Sequence, residues 1–261
     1  MKPFKLLQIT DPHLGSQVGG RLLGVNTDES LIDVLDTLAG QDVPDLIVAT
    51  GDISKDGGIA SYLRFLKIID DYYPSVPLAW LPGNHDDSAN MQSVAGHPIE
   101  LVHQTGGWNF VLLDSHVPGE TRGYFSVEEL QRLDDELTKQ PNLPTLVFLH
   151  HQPVPVGSEW IDTYIVGNHQ AFFDVIDRHP QVKVISWGHV HQEFLGEYNG
   201  IALMATPSTC IQFEANSDQF KLSTTMPGYR TYQLFGDGTF TTEVTRVRLK
   251  DYKIDFKSTG Y

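Results

Sequence analysis

A chain of 261 residues, 40% hydrophobic and 20% charged, has the composition of a soluble globular protein with a sizeable core. Its formal net charge of −15, with no basic run and no aromatic-basic interleaving, argues against nucleic acid as a partner. No stretch reaches the roughly 20 apolar residues of a membrane span, no signal-peptide pattern is found, and the single cysteine, Cys210, allows no intrachain disulfide, so a cytoplasmic protein without membrane partners is expected.

Apolar runs and helix-period segments alternate through the first two-thirds. Strands are expected at 4–9, 45–50, 77–81, 109–114, 144–149 and 182–187. A helix at 27–39 would be capped by Thr27, with Leu31, Leu35 and Leu38 on its apolar face. A second, at 57–72, carries Ile59, Leu63, Leu66 and Ile69, and a third, at 126–139, opens on a capping-box signature from Ser126 to Glu129. A fourth covers 169–178. After residue 200 come strands at 201–206, 229–235 and 239–247, the last two joined in a hairpin through Gly236-Asp237-Gly238. No repeat or linker divides the chain. One α/β domain over 1–261 is expected: a catalytic scaffold at 4–206, closing strands and hairpin at 207–247, and a polar, loosely held tail at 248–261.

Five of the apolar strands finish in the same kind of chemistry. They run into Asp11-Pro12-His13, Gly51-Asp52, Gly83-Asn84-His85-Asp86, His150-His151 and Gly188-His189-Val190-His191. Ligands of open α/β sheets bind outside the carboxyl ends of the strands, so the five clusters would meet at one edge. In Asp11-x-His13 and His189-x-His191 an extended backbone would put both side chains on one face. Each element alone has a plain alternative, a turn for Gly-Asp or a satisfied core histidine for His150. Together they supply oxygen and nitrogen donors suited to Mn, Fe or Zn, and too many for a single tetrahedral ion. Seven such groups suit two ions sharing a carboxylate.

In this order the motifs resemble those of the calcineurin-like metallophosphoesterases, over residues 4 to about 206. Three further stretches, 150–162, 206–213 and 227–247, are similar to segments of the bacterial class III cyclic nucleotide phosphodiesterases, apart from Gln152 where that subgroup often has proline. The resemblance implies a four-layer αββα sandwich of two mixed sheets flanked by helices. It also implies two divalent ions (Fe, Mn or Zn), one held by Asp11, His13, Asp52 and His191 and the other by Asp52, Asn84, His150 and His189. His85 would not ligate but would face the scissile phosphate as the catalytic acid or as a charge stabiliser, and His13, Asn84, His85 and His191 would approach the substrate phosphate. His151 would be structural, and Asp86 would either orient His85 or cap a turn. The implied activity is hydrolysis of 3′,5′-cyclic AMP to 5′-AMP by in-line attack of a metal-bridging hydroxide. A glycerophosphodiester, nucleotide-sugar or broad-specificity hydrolase is the alternative. A non-enzymatic binding module would tolerate loss of ligands, whereas all seven ligand positions and His85 are present. The residue pattern leaves open whether Arg230 meets substrate or an acidic neighbour, and whether Trp160 and Phe213 stack on a base or only pack.

Overall fold

A computed structural model describes residues 2–95 and 102–260; Met1, His97 and Tyr261 lie outside them. The first apolar run forms β1 (Phe4–Ile9), followed by a small ribbon of β2 (Arg21–Leu22) and β3 (Val25–Asn26) that leads into α1 (Thr27–Asp36). Next come β4 (Leu46–Thr50), α2 (Ile59–Tyr72), β5 (Leu78–Leu81) and α3 (Ser88–Ala95). The following stretch carries β6 (Val102–Thr105), β7 (Trp108–Leu112), α4 (Val127–Lys139) and β8 (Thr145–Phe148). Short α5 (Glu159–Asp162) and α6 (His169–Ile176) precede β9 (Val182–Trp187), β10 (Phe194–Tyr198) and β11 (Ile201–Ala205). The hairpin of β12 (Gly228–Leu234) and β13 (Phe240–Arg246) closes the fold.

The strands make two mixed sheets, ordered β13-β12-β1-β4-β5 and β10-β11-β9-β8-β7-β6. Within them β1, β4 and β5 run parallel, as do β7, β8, β9 and β11. Side chains alternate across each strand, and both faces are covered, so the strands read as unbroken apolar runs. Leu6, Val48 and Leu81 meet Phe110, Phe148 and Val184 between the sheets. Leu7, Ile9 and Ile47 turn outward onto Leu31 and Leu35 of α1 and Phe65 of α2. On the far side Val111, Val147 and Ile185 pack on Leu133 of α4 and Phe172 of α6. Each such buried side chain contributes about 1.5–3 kcal/mol. The expected αββα sandwich is the observed one.

Several local expectations shift. Asn26, not Thr27, caps α1, its side chain accepting from the Glu29 N–H at 3.2 Å. The Ser126 hydroxyl accepts from the Glu129 N–H at 3.0 Å, but the Glu129 carboxylate turns away to the Asp114 N–H and Arg132, so the capping box is half closed. The tail after Arg248, read as loosely held, is tied down. Lys250 pairs with Glu29 and Asp33, the Tyr252 hydroxyl donates to Asp33 at 2.7 Å, and the Asp255 N–H reaches the Leu23 carbonyl at 2.8 Å. Among the described residues no helix is long and apolar enough to cross a membrane.

Candidate metal centre

Because β1, β4 and β5 share one direction and β8 and β9 share another sheet's, their carboxyl ends deliver all five motifs to one place. Asp11, expected to adjoin His191, does so: His191 Nε2 lies 3.2 Å from Asp11 Oδ1. The route differs from the expected extended backbone. Of nine non-glycine residues with positive φ among those described, five are Asp11, His13, Asp52, His189 and His191, with φ from 47° to 63°. The Asp-x-His and His-x-His pairs therefore converge by left-handed turns and not by strand alternation. Such backbone costs energy at each position and persists where the surroundings over-determine it, commonly at functional sites. Two glycines make the approach possible. A Cβ at Gly83 would lie 2.2 Å from Asp52 Oδ1, and one at Gly188 would lie 2.0 Å from Thr10 Oγ1.

The donors form two groups that meet at one oxygen. His13 and His191 face each other, Nε2 to Nε2, at 3.1 Å, beside Asp11. His150 Nε2 stands 3.3 Å from Asn84 Oδ1, with His189 next to it. Asp52 Oδ2 lies between the groups, 3.6 Å from His13 Nε2 and 3.4 Å from His150 Nε2. Asp52 Oδ1 is engaged elsewhere, accepting from the His85 N–H at 2.9 Å. All seven sequence-predicted ligands are thus brought together, and His85 with them, its ring close to His13 and Asp52.

Outer contacts set the tautomers. His150 Nδ1 donates to the Thr50 carbonyl and His191 Nδ1 to the Ile211 carbonyl, each at 2.8 Å, which directs both Nε2 atoms inward, where a bound ion would take their lone pairs. Burial holds His13 and His189 well below the usual histidine range, so both are neutral, the form that ligates. Burial alone would raise Asp52, but His150 and His85 facing it hold its carboxyl well below the ordinary range. Burial alone would lower His150, but the Asp52 charge in turn pushes it up to about 9. Cys210 adds no soft donor, since burial pushes its thiol up to about 12.

His151 adjoins the candidate ligands, its ring 4.8 Å from those of His150 and His189, but its nitrogens are engaged elsewhere. Its Nδ1 meets Ser115 Oγ at 2.7 Å and its Nε2 the Thr121 carbonyl at 3.1 Å, so both ring nitrogens serve the 115–121 loop. Asp86 does not orient His85. Its carboxylate accepts from the N–H groups of Ile53 (3.1 Å), Ser54 (2.9 Å) and Gly83 (2.9 Å) and from the Tyr62 hydroxyl (3.0 Å). Burial, reinforced by the Asp52 charge, pushes this carboxyl up to about 7 against the pull of those donors. Arg230 is buried, donates to the Ala205 carbonyl at 2.9 Å, and has no acidic partner among the described residues. Sequence reasoning passed over Gln8, whose Oε1 accepts from Ser186, Thr206 and Tyr232 in the buried space between the two sheets. A buried polar residue inside an apolar strand was the only available signal.

The residues fit a pair of cations. His189 Nε2 is buried with no hydrogen-bond partner, a cost of about 1–3 kcal/mol that a bound ion would remove. Two imidazole nitrogens each about 2.1 Å from one ion sit about 3 Å apart at roughly 95°, which matches the 3.1 Å between His13 and His191. A cavity of about 430 Å³ opens beside the cluster, lined by Asn84, His85 and His189 and by Trp160, Tyr164, Phe213 and Phe220.

Two layers of sheet between helices, with paired His/Asp/Asn clusters at the strand ends, define a metal-dependent phosphoesterase. The chain belongs to the calcineurin-like phosphoesterase family, whose profile matches residues 4–193. Among curated proteins it is similar to the 3′,5′-cyclic adenosine monophosphate phosphodiesterases CpdA of Vibrio vulnificus (43% identical, covering 99% of this chain and 95% of that one) and Escherichia coli K12 (42%; 98% and 94%). The enzyme of the same name from Pseudomonas aeruginosa is 39% identical (98% and 94%). Of solved structures, a dimetal phosphatase from Danio rerio superposes with a TM-score of 0.71 at 18% identity, covering 98% of this chain and all of that one, which shows the shared fold.

Proposed function

We propose that the protein is a dimetal phosphodiesterase that hydrolyses 3′,5′-cyclic AMP to 5′-AMP. One observation carries this reading: two donor groups meet at the Asp52 carboxylate in a chain alike over nearly its whole length to cyclic-AMP phosphodiesterases. One ion would be held by Asp11, His13, Asp52 and His191, the other by Asp52, Asn84, His150 and His189, with Asp52 shared. Imidazole, carboxylate and amide donors without a thiolate suit Mn, Fe or Zn. When bound, such ions supply Lewis acidity and lower the pKa of water to near 7.

The chain's own residues supply the rest. His85 Nδ1 donates to the Lys55 carbonyl at 3.2 Å, which fixes the ring and makes Nε2 the nitrogen that exchanges a proton. The departing 3′ oxygen is an alkoxide unless protonated, so a proton from the His85 imidazolium would lower that barrier, by 10²- to 10⁴-fold in rate for typical general acids. His13, Asn84 and His191 would border the phosphate. Asp86 holds the backbone just after Asp52, at Ile53 and Ser54, and just before Asn84, at Gly83. Residues 1–261 would act as one catalytic domain, and a lone, buried, reduced cysteine fits a cytoplasmic setting.

The test is turnover by the Mn²⁺- or Fe²⁺-reconstituted protein, followed chromatographically. Release of 5′-AMP from cyclic AMP is expected. Intact cyclic AMP together with intact bis(p-nitrophenyl) phosphate would overturn the reading, and preference for a glycerophosphodiester over cyclic nucleotides would move it to another substrate.

A further inference from the structure

The metal-side residues account for the phosphate, and the aromatic side of the same cavity has no role in that chemistry. Trp160 lies on short α5, beyond the His150-His151 loop, and lines the cavity half-buried. It packs edge-on against Phe213 (centroids 5.0 Å, 79°) and Phe220 (5.1 Å, 79°). Phe213 is fully buried and lies flat on the His191 imidazole, at 4.4 Å and 9°. Two ring contacts therefore connect a candidate metal ligand to the Trp160 indole. Phe213 is committed to that stack, which leaves Trp160, Tyr164 and Phe220 as the partly exposed aromatic residues of the cavity, and Trp160 carries the largest ring system of the three. Its Nε1 has no hydrogen-bond partner, so ring packing alone fixes its orientation. The Gly119-Glu120-Thr121 loop, anchored by His151 through Thr121, lines the same cavity and provides polar edges.

We propose that Trp160, braced by Phe213 and Phe220, is the surface on which the nucleobase of the substrate stacks, and is the residue that makes this site prefer base-bearing phosphodiesters to base-free ones. The inference rests on the cyclic-nucleotide reading and adds the place of the base. A cavity of this volume with an aromatic wall and a few polar groups suits a nucleotide. Stacking on an aromatic side chain is tolerant of base identity, because every base has a π face. Trp160 would therefore favour nucleotides as a class.

Calorimetric binding of 5′-AMP and of ribose 5-phosphate to the metal-loaded protein isolates the base without turnover. In the wild type 5′-AMP is expected to bind about tenfold or more tighter than ribose 5-phosphate. Trp160→Ala should bring the two within about threefold, leaving ribose 5-phosphate unchanged, and Trp160→Phe should retain most of the difference. Trp160→Leu fills the space without a π face, so it decides the matter where the alanine variant unfolds. A wild-type ratio near one, or a ratio kept in Trp160→Leu, overturns the proposal. Cyclic-AMP hydrolysis is assayed in parallel. Turnover with an unaffected ratio removes only the base site, and an affected ratio without turnover removes only the assigned reaction.

Discussion

The backbone N–H of His189 donates to both carboxylate oxygens of Asp11, at 3.2 and 3.1 Å, across 178 residues of sequence. Asp11 follows β1 in one sheet and His189 follows β9 in the other, so the candidate metal centre also joins the two sheets. Gly188 allows that approach. A Cβ there would stand 2.0 Å from Thr10 Oγ1 and 2.7 Å from Asp11 Oδ2, both atoms of fully buried side chains. Gly188→Ala is expected to force the loops apart, lowering metal content below two ions per chain and the melting temperature by several degrees. Metal analysis and calorimetry check it; full occupancy with an unchanged Tm would contradict the argument.

Asn84 and His85 are neighbours in sequence with different expected duties. Asn84 Oδ1 faces His150 Nε2 at 3.3 Å, whereas His85 is anchored through Nδ1 to Lys55 and lines the cavity. Asn84→Ala should therefore lose both activity and an ion. His85→Ala should keep two ions and lose about 10²- to 10⁴-fold in kcat. Metal analysis beside steady-state kinetics separates the two roles, and an emptied site in His85→Ala would make His85 a ligand.

Asp86 carries a structural load that stability measurements read separately from activity. Removing its carboxylate leaves three buried backbone N–H groups and the Tyr62 hydroxyl without their acceptor. Asp86→Ala is expected to cost about 3 kcal/mol, with the offsetting gain from no longer burying a charge already counted. Chemical denaturation reads this directly. A loss below about 1 kcal/mol would mean that the loops re-pair with water.

The strands and the candidate donor residues were legible because fully buried parallel strands leave unbroken apolar runs and because five of those runs ended in a polar cluster. The two-sheet sandwich and the sharing of the donors between two ions came only from the family resemblance. Elements of little apolar contrast were not: β10 is mostly exposed along Phe194–Tyr198, and α3 has no strong apolar face. The backbone of the site was also out of reach, since left-handed Asp and His residues leave no mark in composition. Asp86 was ambiguous for a related reason. A carboxylate bound by N–H groups from two loops depends on how those loops meet in space. The same holds for the tail, whose Lys250 and Tyr252 find partners on α1, more than 200 positions earlier.

The outer helices offer a test of pH dependence away from the metal centre. Asp134 of α4 accepts from His179 Nε2 at 2.7 Å and pairs with Arg178 at 3.0 Å. The hydrogen bond from His179, with burial opposing and Arg178 assisting, holds the Asp134 carboxyl below its ordinary value. A carboxyl depressed in the folded state stabilises the protein above its unfolded pKa, about 3.9, and stops doing so as pH falls through the folded value. Asp134→Asn should accordingly melt slightly below the wild type at pH 7 and at pH 5, by a small margin because the pair is partly exposed to solvent screening. That margin should shrink below about pH 4. Metal loss at low pH affects both proteins alike and cancels in the difference. A margin that stays constant down to pH 3, or appears only in acid, would show that the Asp134 charge contributes nothing to holding α4 against the end of α6.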